Sequence, residues 1–380
     1  MRLVSIISQT KTPPFRIKAS VPIRRLIIGF LGEHLVRKVF RLRFDRVIST
    51  VDTHTAGEPT RIVVSGIPKI RGKTLGEKIE YLRNEFDFVR SAIMREPRGH
   101  NDMFGAIITE PTTPDADLGV IFTDCGGYLT GCGHGSIGVA TVAVELGWVR
   151  TTEPSTIVLL ETPSGLVKAN VHVQNGRIKG VTIRNVPSFL YKPNVQLSVP
   201  SLGDVRLDIS FGGNFFALVD ASQLGIKIEP ANAERLIDIG IKIKNAVNQK
   251  VKVAHPLLKY IDRVELVELY GKPTRPEAHS KNVVVFGVGQ ADRSPCGTGT
   301  SARMAELHAK GKLKLNEEFV HESIVGTIFR GRLVEETRVS RFKAVVPEIT
   351  GNAYITGLNQ LVFDPDDPLK NGFLLKASLH

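Results

Sequence analysis

Two cysteines carry the strongest chemical signal in the chain. Cys132 and Cys296 each open a Cys-Gly-x-Gly tetrad, and sliding the sequence against itself by 164 residues superposes the two surroundings without a gap. The first copy reads VIFTDCGGYLTGCGHGSIGVATVAVELG from Val120 to Gly147, and the second VVFGVGQADRSPCGTGTSARMAELHAKG from Val284 to Gly311. In both, an apolar strand ends at a phenylalanine (Phe122, Phe286), the cysteine follows ten residues later, and an Ala-containing helical stretch runs on to a stop glycine. The pattern predicts two copies of one supersecondary unit, each with its cysteine at a helix N-terminus. Unpaired amides and the positive end of the helix dipole at such a terminus favour anions, a thiolate included. The following glycines leave those amides open to a ligand carboxylate. Set face to face across a cleft, the two units would flank the α-carbon of a small carboxylate with one sulfur on each side. One thiolate would then remove a proton while the opposite thiol delivers one, with inversion of configuration.

Three other readings compete for these residues. Gly133-x-Gly135-x-x-Gly138 matches a dinucleotide-binding fingerprint, which would imply an NAD-dependent oxidoreductase. The preceding strand, however, ends about ten residues too early for the tight strand-turn-helix that a pyrophosphate requires. Cys125, Cys132, His134 and Cys296 offer a Cys3His set for zinc, but without zinc-knuckle spacing. Inert buried cysteines beside packing glycines would explain one tetrad. They do not explain a duplicated one, so no metal is assigned.

The elements that must hold the two tetrads read as strands alternating with helices from Arg46 onward. Strands are predicted at Val47 to Asp52, Arg61 to Ser65, Ala106 to Thr109, Gly119 to Phe122, Thr156 to Leu160, Val167 to Val173, Val181 to Arg184, Phe215 to Val219, Val264 to Leu269, Val283 to Phe286 and Glu336 to Val345. Helices are predicted at Leu75 to Glu85, at Ala231 to Val247 and after each of the two cysteines. The Pro-containing stretch Val186 to Pro200 reads as an irregular interdomain crossing. The class is mixed α/β (α+β), divided into a first half, 46–187, to which 357–380 returns, and a second half, 188–356. Of the formal charge of +12, residues 1–46 carry +9, from eleven Lys and Arg against Glu33 and Asp45. Residues 1–45 therefore read as a basic, weakly ordered extension outside the chemistry. With +3 spread over the body, neither a nucleic-acid groove nor a membrane partner is expected. No apolar run reaches the length of a bilayer span, and three cysteines in 380 residues argue against a disulfide framework. The expected setting is soluble and cytoplasmic.

Five ordered segments resemble the proline racemase family: DTHTAGEPTR from Asp52, EPRGHNDMFGA from Glu96, GCGHGSIG from Gly131, GGNFFALVD from Gly212 and DRSPCGTGTSARMA from Asp292. The resemblance covers nearly nine-tenths of the chain and begins near Arg46. It implies a diaminopimelate-epimerase-like fold, two pseudo-symmetric halves each wrapping a central helix, with the site between them. It also implies a homodimer that uses no cofactor. Carried over by position, the paired bases fall on Cys132 and Cys296, and the substrate-binding positions on Gly133, His134, Asp292, Gly297 and Thr298. His134 and Asp292 would hold the ring nitrogen of the substrate. Cys125 receives no role and reads as a packing residue, while His54 and His100 read as loop-ordering. Within the family, trans-3-hydroxy-L-proline dehydratases carry Thr where Cys296 stands, and 4-hydroxyproline 2-epimerases tend to a more polar pocket. Here Phe104 and Phe286 form an apolar wall suited to the methylenes of proline, where a hydroxyl would lose its water without a partner. The resemblance thus implies interconversion of L- and D-proline.

Overall fold

The computed structural model describes residues 44–375. Of the basic extension, residues 1–43 lie outside the described residues, as do 376–380 of the C-terminal segment. The first half of the fold contains β1 (Arg46–Thr55), β2 (Glu58–Ser65), α1 (Leu75–Glu85), α2 (Asp87–Met94), β3 (Phe104–Thr109), β4 (Leu118–Asp124), β5 (Tyr128–Leu129), α3 (Gly133–Glu145), β6 (Ser155–Thr162), β7 (Gly165–Gln174) and β8 (Arg177–Arg184). The second contains β9 (Phe189–Val199), β10 (Gly203–Phe211), β11 (Phe215–Asp220), α4 (Ala233–Lys250), β12 (Val264–Gly271), β13 (Ser280–Phe286), β14 (Gln290–Asp292), α5 (Gly297–Ala309), β15 (Phe319–Ser323), β16 (Ile328–Val339) and β17 (Phe342–Gly351). A last strand, β18 (Ala353–Phe363), lies antiparallel to β1.

The two halves repeat one topology. In the first, β2 runs parallel to β3, β3 antiparallel to β4, and β4 parallel to β6. In the second, β11, β12, β13 and β15 pair in the same sequence of senses. Each half continues as an antiparallel meander, and the meanders meet where β8 pairs antiparallel with β17. This is the pseudo-symmetric, diaminopimelate-epimerase-like architecture. Register gives a residue-level correspondence: Ile108 faces Val120 on β3 and β4, and Glu268 faces Val284, the residue 164 further on, on β12 and β13.

Burial explains the two central helices better than intrinsic propensity does. Every residue of α3 from Gly133 to Val144 is buried, and its β-branched Ile, Val and Thr residues are indifferent helix formers in isolation. A helix that is apolar all round is stable only when enclosed. One shared core surrounds α3 and α5 and includes both Cys132 and Cys296. Separate cores lie under α1 and α2 in the first half and under α4 in the second. Among the described residues no helix is long and apolar enough to cross a membrane.

Two expectations need correction. Glu336 to Val345 is not one strand but the end of β16, a turn at Ser340 with φ of 53°, and the start of β17. Its continuous β propensity hid a turn that uses neither Gly nor Asn. The stretch Val186 to Pro200 is mostly β9, an eleven-residue strand on β10. Pro193 is tolerated because it sits at a register shift in that pairing, beside Asn194 with φ of 53°, where no ladder donor is needed.

Candidate active site

The starts of α3 and α5 meet head to head. A Cβ placed on Gly133 would lie 2.4 Å from the Cα of Gly297, and one placed on Gly297 would lie 2.6 Å from the Cα of Gly133. Only two glycines permit this approach, which brings the two cysteines to one place. Each is the N-cap of its helix: Gly135 N–H donates to Cys132 Sγ at 3.1 Å, and Gly299 N–H donates to Cys296 Sγ at 3.3 Å. Cys296 is held with φ of 56°, a left-handed backbone that a non-glycine residue adopts at a cost.

Around the two sulfurs is a buried cavity of about 20 Å³, walled by Phe104, Cys132, Gly133, His134, Phe286, Asp292, Cys296 and Thr298. All eight are among the site residues expected from the sequence and its family resemblance. Gly297, also picked, does not line the cavity and forms the seam with Gly133 instead. Leu129, Gly131 and Leu266 complete the wall and escaped the sequence reading. The phenyl rings of Phe104 and Phe286 stand edge to face with centroids 6.1 Å apart, and Phe104 packs edge-on against the His134 ring at 4.6 Å. His134 Nδ1 lies 3.4 Å from Cys132 Sγ and 3.6 Å from Asp292 Oδ2, so a side chain of the first half touches one of the second. Asp292 also accepts a hydrogen bond from Ser294 N at 2.7 Å, the short turn that leads into Cys296.

Supporting residues were less legible. Asn214, from the GGNFF segment, grips the strand end before Cys132 from the other half. Its Nδ2 donates to Gly131 O at 2.7 Å, and its Oδ1 accepts from Gly131 N at 3.2 Å. Glu58 lies fully buried beside the site and accepts from Arg293 N at 2.7 Å. His100 is a loop-ordering residue, accepting from Asp102 N at 3.2 Å, and His54 accepts from Gly57 N at 3.3 Å. Cys125 stands apart from the other two cysteines. Its thiol faces the carbonyls of Met94 and His100 at 3.2 and 3.1 Å within the outer core of the first half. The Cys3His set therefore does not assemble on one point.

The electrostatics depart from the helix-terminus argument. The amides of Gly135 and Gly299 do favour thiolates, yet both thiols are held well above their ordinary range. Burial is the main cause for each sulfur, because it removes the water that would solvate a thiolate. The Asp292 carboxylate adds to the rise at both, and Glu58 adds to it at Cys132.

Residues 50–374 match the family model described as proline racemase. The chain is 57% identical to the proline racemase of Clostridioides difficile over 335 residues, covering 88% of this chain and all of that one. It is 47% identical to the 4-hydroxyproline 2-epimerase of Streptosporangium roseum, covering 88% of this chain and 100% of that one. Among solved structures, a hydroxyproline epimerase from Agrobacterium vitis with bound trans-4-hydroxy-L-proline superposes with a TM-score of 0.83 at 35% identity, covering 89% of this chain and 98% of that one.

Proposed function

Because the chain belongs to the proline racemase family, we propose that it interconverts L- and D-proline by proton transfer between two cysteines. The observation that carries the reading is the head-to-head seam, which puts two pseudo-equivalent N-cap thiols on one buried cavity. The first-turn amides of α3 and α5 hold the proline carboxylate, and Asp292 with His134 holds the ring nitrogen. Cys132 and Cys296 take the base and acid roles in turn, one removing the α-proton on one face while the other protonates the opposite face. The raised thiols fit this assignment. A substrate ammonium arriving beside Asp292 offsets the negative charge there and makes a thiolate less costly. The amides then stabilise the charge that develops on the carboxylate as the proton leaves. The cavity has room for about one water, so proline enters when the halves part, and their closure excludes solvent from the transfer.

The wall of Phe104, Phe286, Leu129 and Leu266 favours proline over 4-hydroxyproline, whose hydroxyl would sit unpartnered against it. Incubation without added cofactor with L-proline, D-proline, trans-4-hydroxy-L-proline and trans-3-hydroxy-L-proline, followed by chiral separation, tests the reading. Inversion of proline with uptake of solvent deuterium at the α-carbon is the expected result. Inverted product without label would refute the two-base route.

We further propose a cytoplasmic homodimer with residues 1–45 outside the catalytic body. The three free cysteines support the compartment, and the family match beginning at residue 50 supports the boundary. An exposed apolar row, Ile355, Leu358 and Val362, on β18 supports the dimer, since β18 pairs only with β1 among the described strands.

A further inference from the structure

The pseudo-symmetry breaks directly behind the second thiol. Beneath α3, Leu118 and Val158 are buried and apolar, and Ile108 is apolar and half-buried. Their counterparts by strand register beneath α5 are Glu268, Asn282 and His321, each 0% exposed. Position 136, a serine in α3, corresponds to Thr300 in α5. The difference reaches the sulfurs. A Cβ on Gly135 would meet the Phe122 ring at 2.8 Å and Cys132 Sγ at 2.9 Å, whereas one on Gly299 would meet Glu268 Oε2 at 2.6 Å and Cys296 Sγ at 3.2 Å. A phenyl ring thus backs the first thiol where a carboxyl backs the second.

Hydrogen-bond accounting shows what this carboxyl does there. The Thr300 hydroxyl donates to Pro295 O at 3.0 Å, so its 3.0 Å contact with His321, the shorter of two on Nδ1, is met by a protonated Nδ1; Asn282 Nδ2, 3.5 Å from the same nitrogen, donates instead to Pro295 O at 2.9 Å. The bare Nε2 then points at Glu268 Oε1, 3.7 Å away. Among the described residues neither Glu268 oxygen nor His321 Nε2 has a partner within hydrogen-bond distance. Burial raises Glu268 to about 8 and lowers His321 to about 3, which fits a neutral acid facing a neutral ring. Asn282 on β13 is buried beside the carboxyl and favours its ionised form, though less than burial opposes it. Leu218 on β11 and Val284 on β13 are the apolar pairing partners, Asp292 lies on β14, and α5 contributes Cys296, Arg303 and Glu306. The Arg303 guanidinium, stacked on Tyr270 at 3.6 Å and paired with Glu306, is the leading charge on this pair: it draws Glu268 down against the effect of burial and helps to keep His321 neutral. On the Cys132 side the nearby carboxyl is Glu58, which differs in having a backbone donor, Arg293 N.

We propose that Glu268, held against His321, is a positioning residue that sets the proton balance between the two thiols: neutral, it lets Cys296 take its turn as thiolate, and ionised, it confines the negative charge to Cys132. Glu268, His321 and Cys296 all belong to the second half, so parting of the halves does not separate them. The inference rests on the two-thiol reading above, but its test does not use turnover, so failure of one is distinguishable from failure of the other.

The experiment is competitive alkylation of substrate-free protein by iodoacetamide, with the label on Cys132 and Cys296 quantified by peptide mass spectrometry. Glu268→Gln copies the neutral carboxyl. At about pH 7, where Glu268 is protonated, the variant should partition label as the unaltered protein does. At about pH 9 its partition should shift roughly tenfold toward Cys296, the equivalent of one pKa unit. A merely structural role would not produce a change confined to alkaline pH. The same partition at both pH values in a folded Glu268→Gln protein overturns the proposal. If that variant does not fold, the triple change Glu268→Ile, Asn282→Leu and His321→Val, which installs residues the first half already packs at the equivalent positions, decides by the same readout.

Discussion

Replacing Gly297 with Ala tests whether the seam between the helix starts sets the catalytic geometry. The new Cβ would stand 2.6 Å from Gly133 Cα and 3.2 Å from Gly133 C. Both are backbone atoms, so no side chain can swing aside. Ordinary contact for a Cβ begins near 3.4 Å, and the helix starts must therefore separate by about 1 Å, through bodies enclosed in the shared core. The thiols ride on these helix starts as N-caps, so their spacing opens by a similar amount. A misplacement of about 1 Å at reacting groups costs on the order of 10²-fold in rate, and overpacking of this kind costs about 1–3 kcal/mol in stability. Racemisation of L-proline followed by polarimetry should give a kcat reduced about 100-fold, with a cooperative but earlier urea transition. Gly127→Ala is the control, because a Cβ there meets nothing within 4 Å, and it should be neutral in both measurements. A Gly297→Ala enzyme with kcat within about threefold of the unaltered protein would refute the claim that this contact positions the thiols.

Cys132→Ser or Cys296→Ser should each abolish racemisation with circular dichroism unchanged, because a serine hydroxyl is far less acidic than a thiol; substantial turnover in either would remove the two-base mechanism. Asn214→Ala leaves Gly131 N and O without their partner across the halves and should cost about 1–3 kcal/mol by urea denaturation, with a fall in kcat. Glu268 is raised from 4.5 to about 8 in the folded state, so the folded protein binds a proton that the unfolded chain has already released. The stability this confers is complete below about pH 4.5 and is lost as pH rises through about 8, on the order of 5 kcal/mol; Glu268→Gln should flatten that dependence in urea titrations across this range. Removing residues 1–45, which precede the family match at residue 50, should leave racemisation within about twofold of the full chain, and an inactive or insoluble truncation would place the segment in the catalytic body or a dimer contact.

The sequence by itself determined the repeat, the two thiols at helix starts and most of the strands. These features rest on local causes: the spacing of Cys-Gly-x-Gly, apolar runs such as Val283 to Phe286, and the Thr74 cap that starts α1 by accepting from Glu77 N. The resemblance supplied Asp292 and His134, whose types alone suggest a cap and a packed ring. Only the tertiary structure decided what depends on residues far apart in the chain. Gly297 and Gly133 are 164 positions apart, and their contact defines the seam. Asn214 acts on Gly131 only because the halves close. Glu268 sits in the predicted strand Val264 to Leu269, whereas the strand of His321, Phe319–Ser323, escaped the sequence reading, and nothing local distinguishes a buried pair there from two surface side chains. The thiol energetics followed the same rule. The helix ends were visible and argued for lowered thiols, whereas the layers of chain that strip water from the sulfurs were not, and desolvation depends on how completely the fold encloses a charge rather than on which residues adjoin it in sequence.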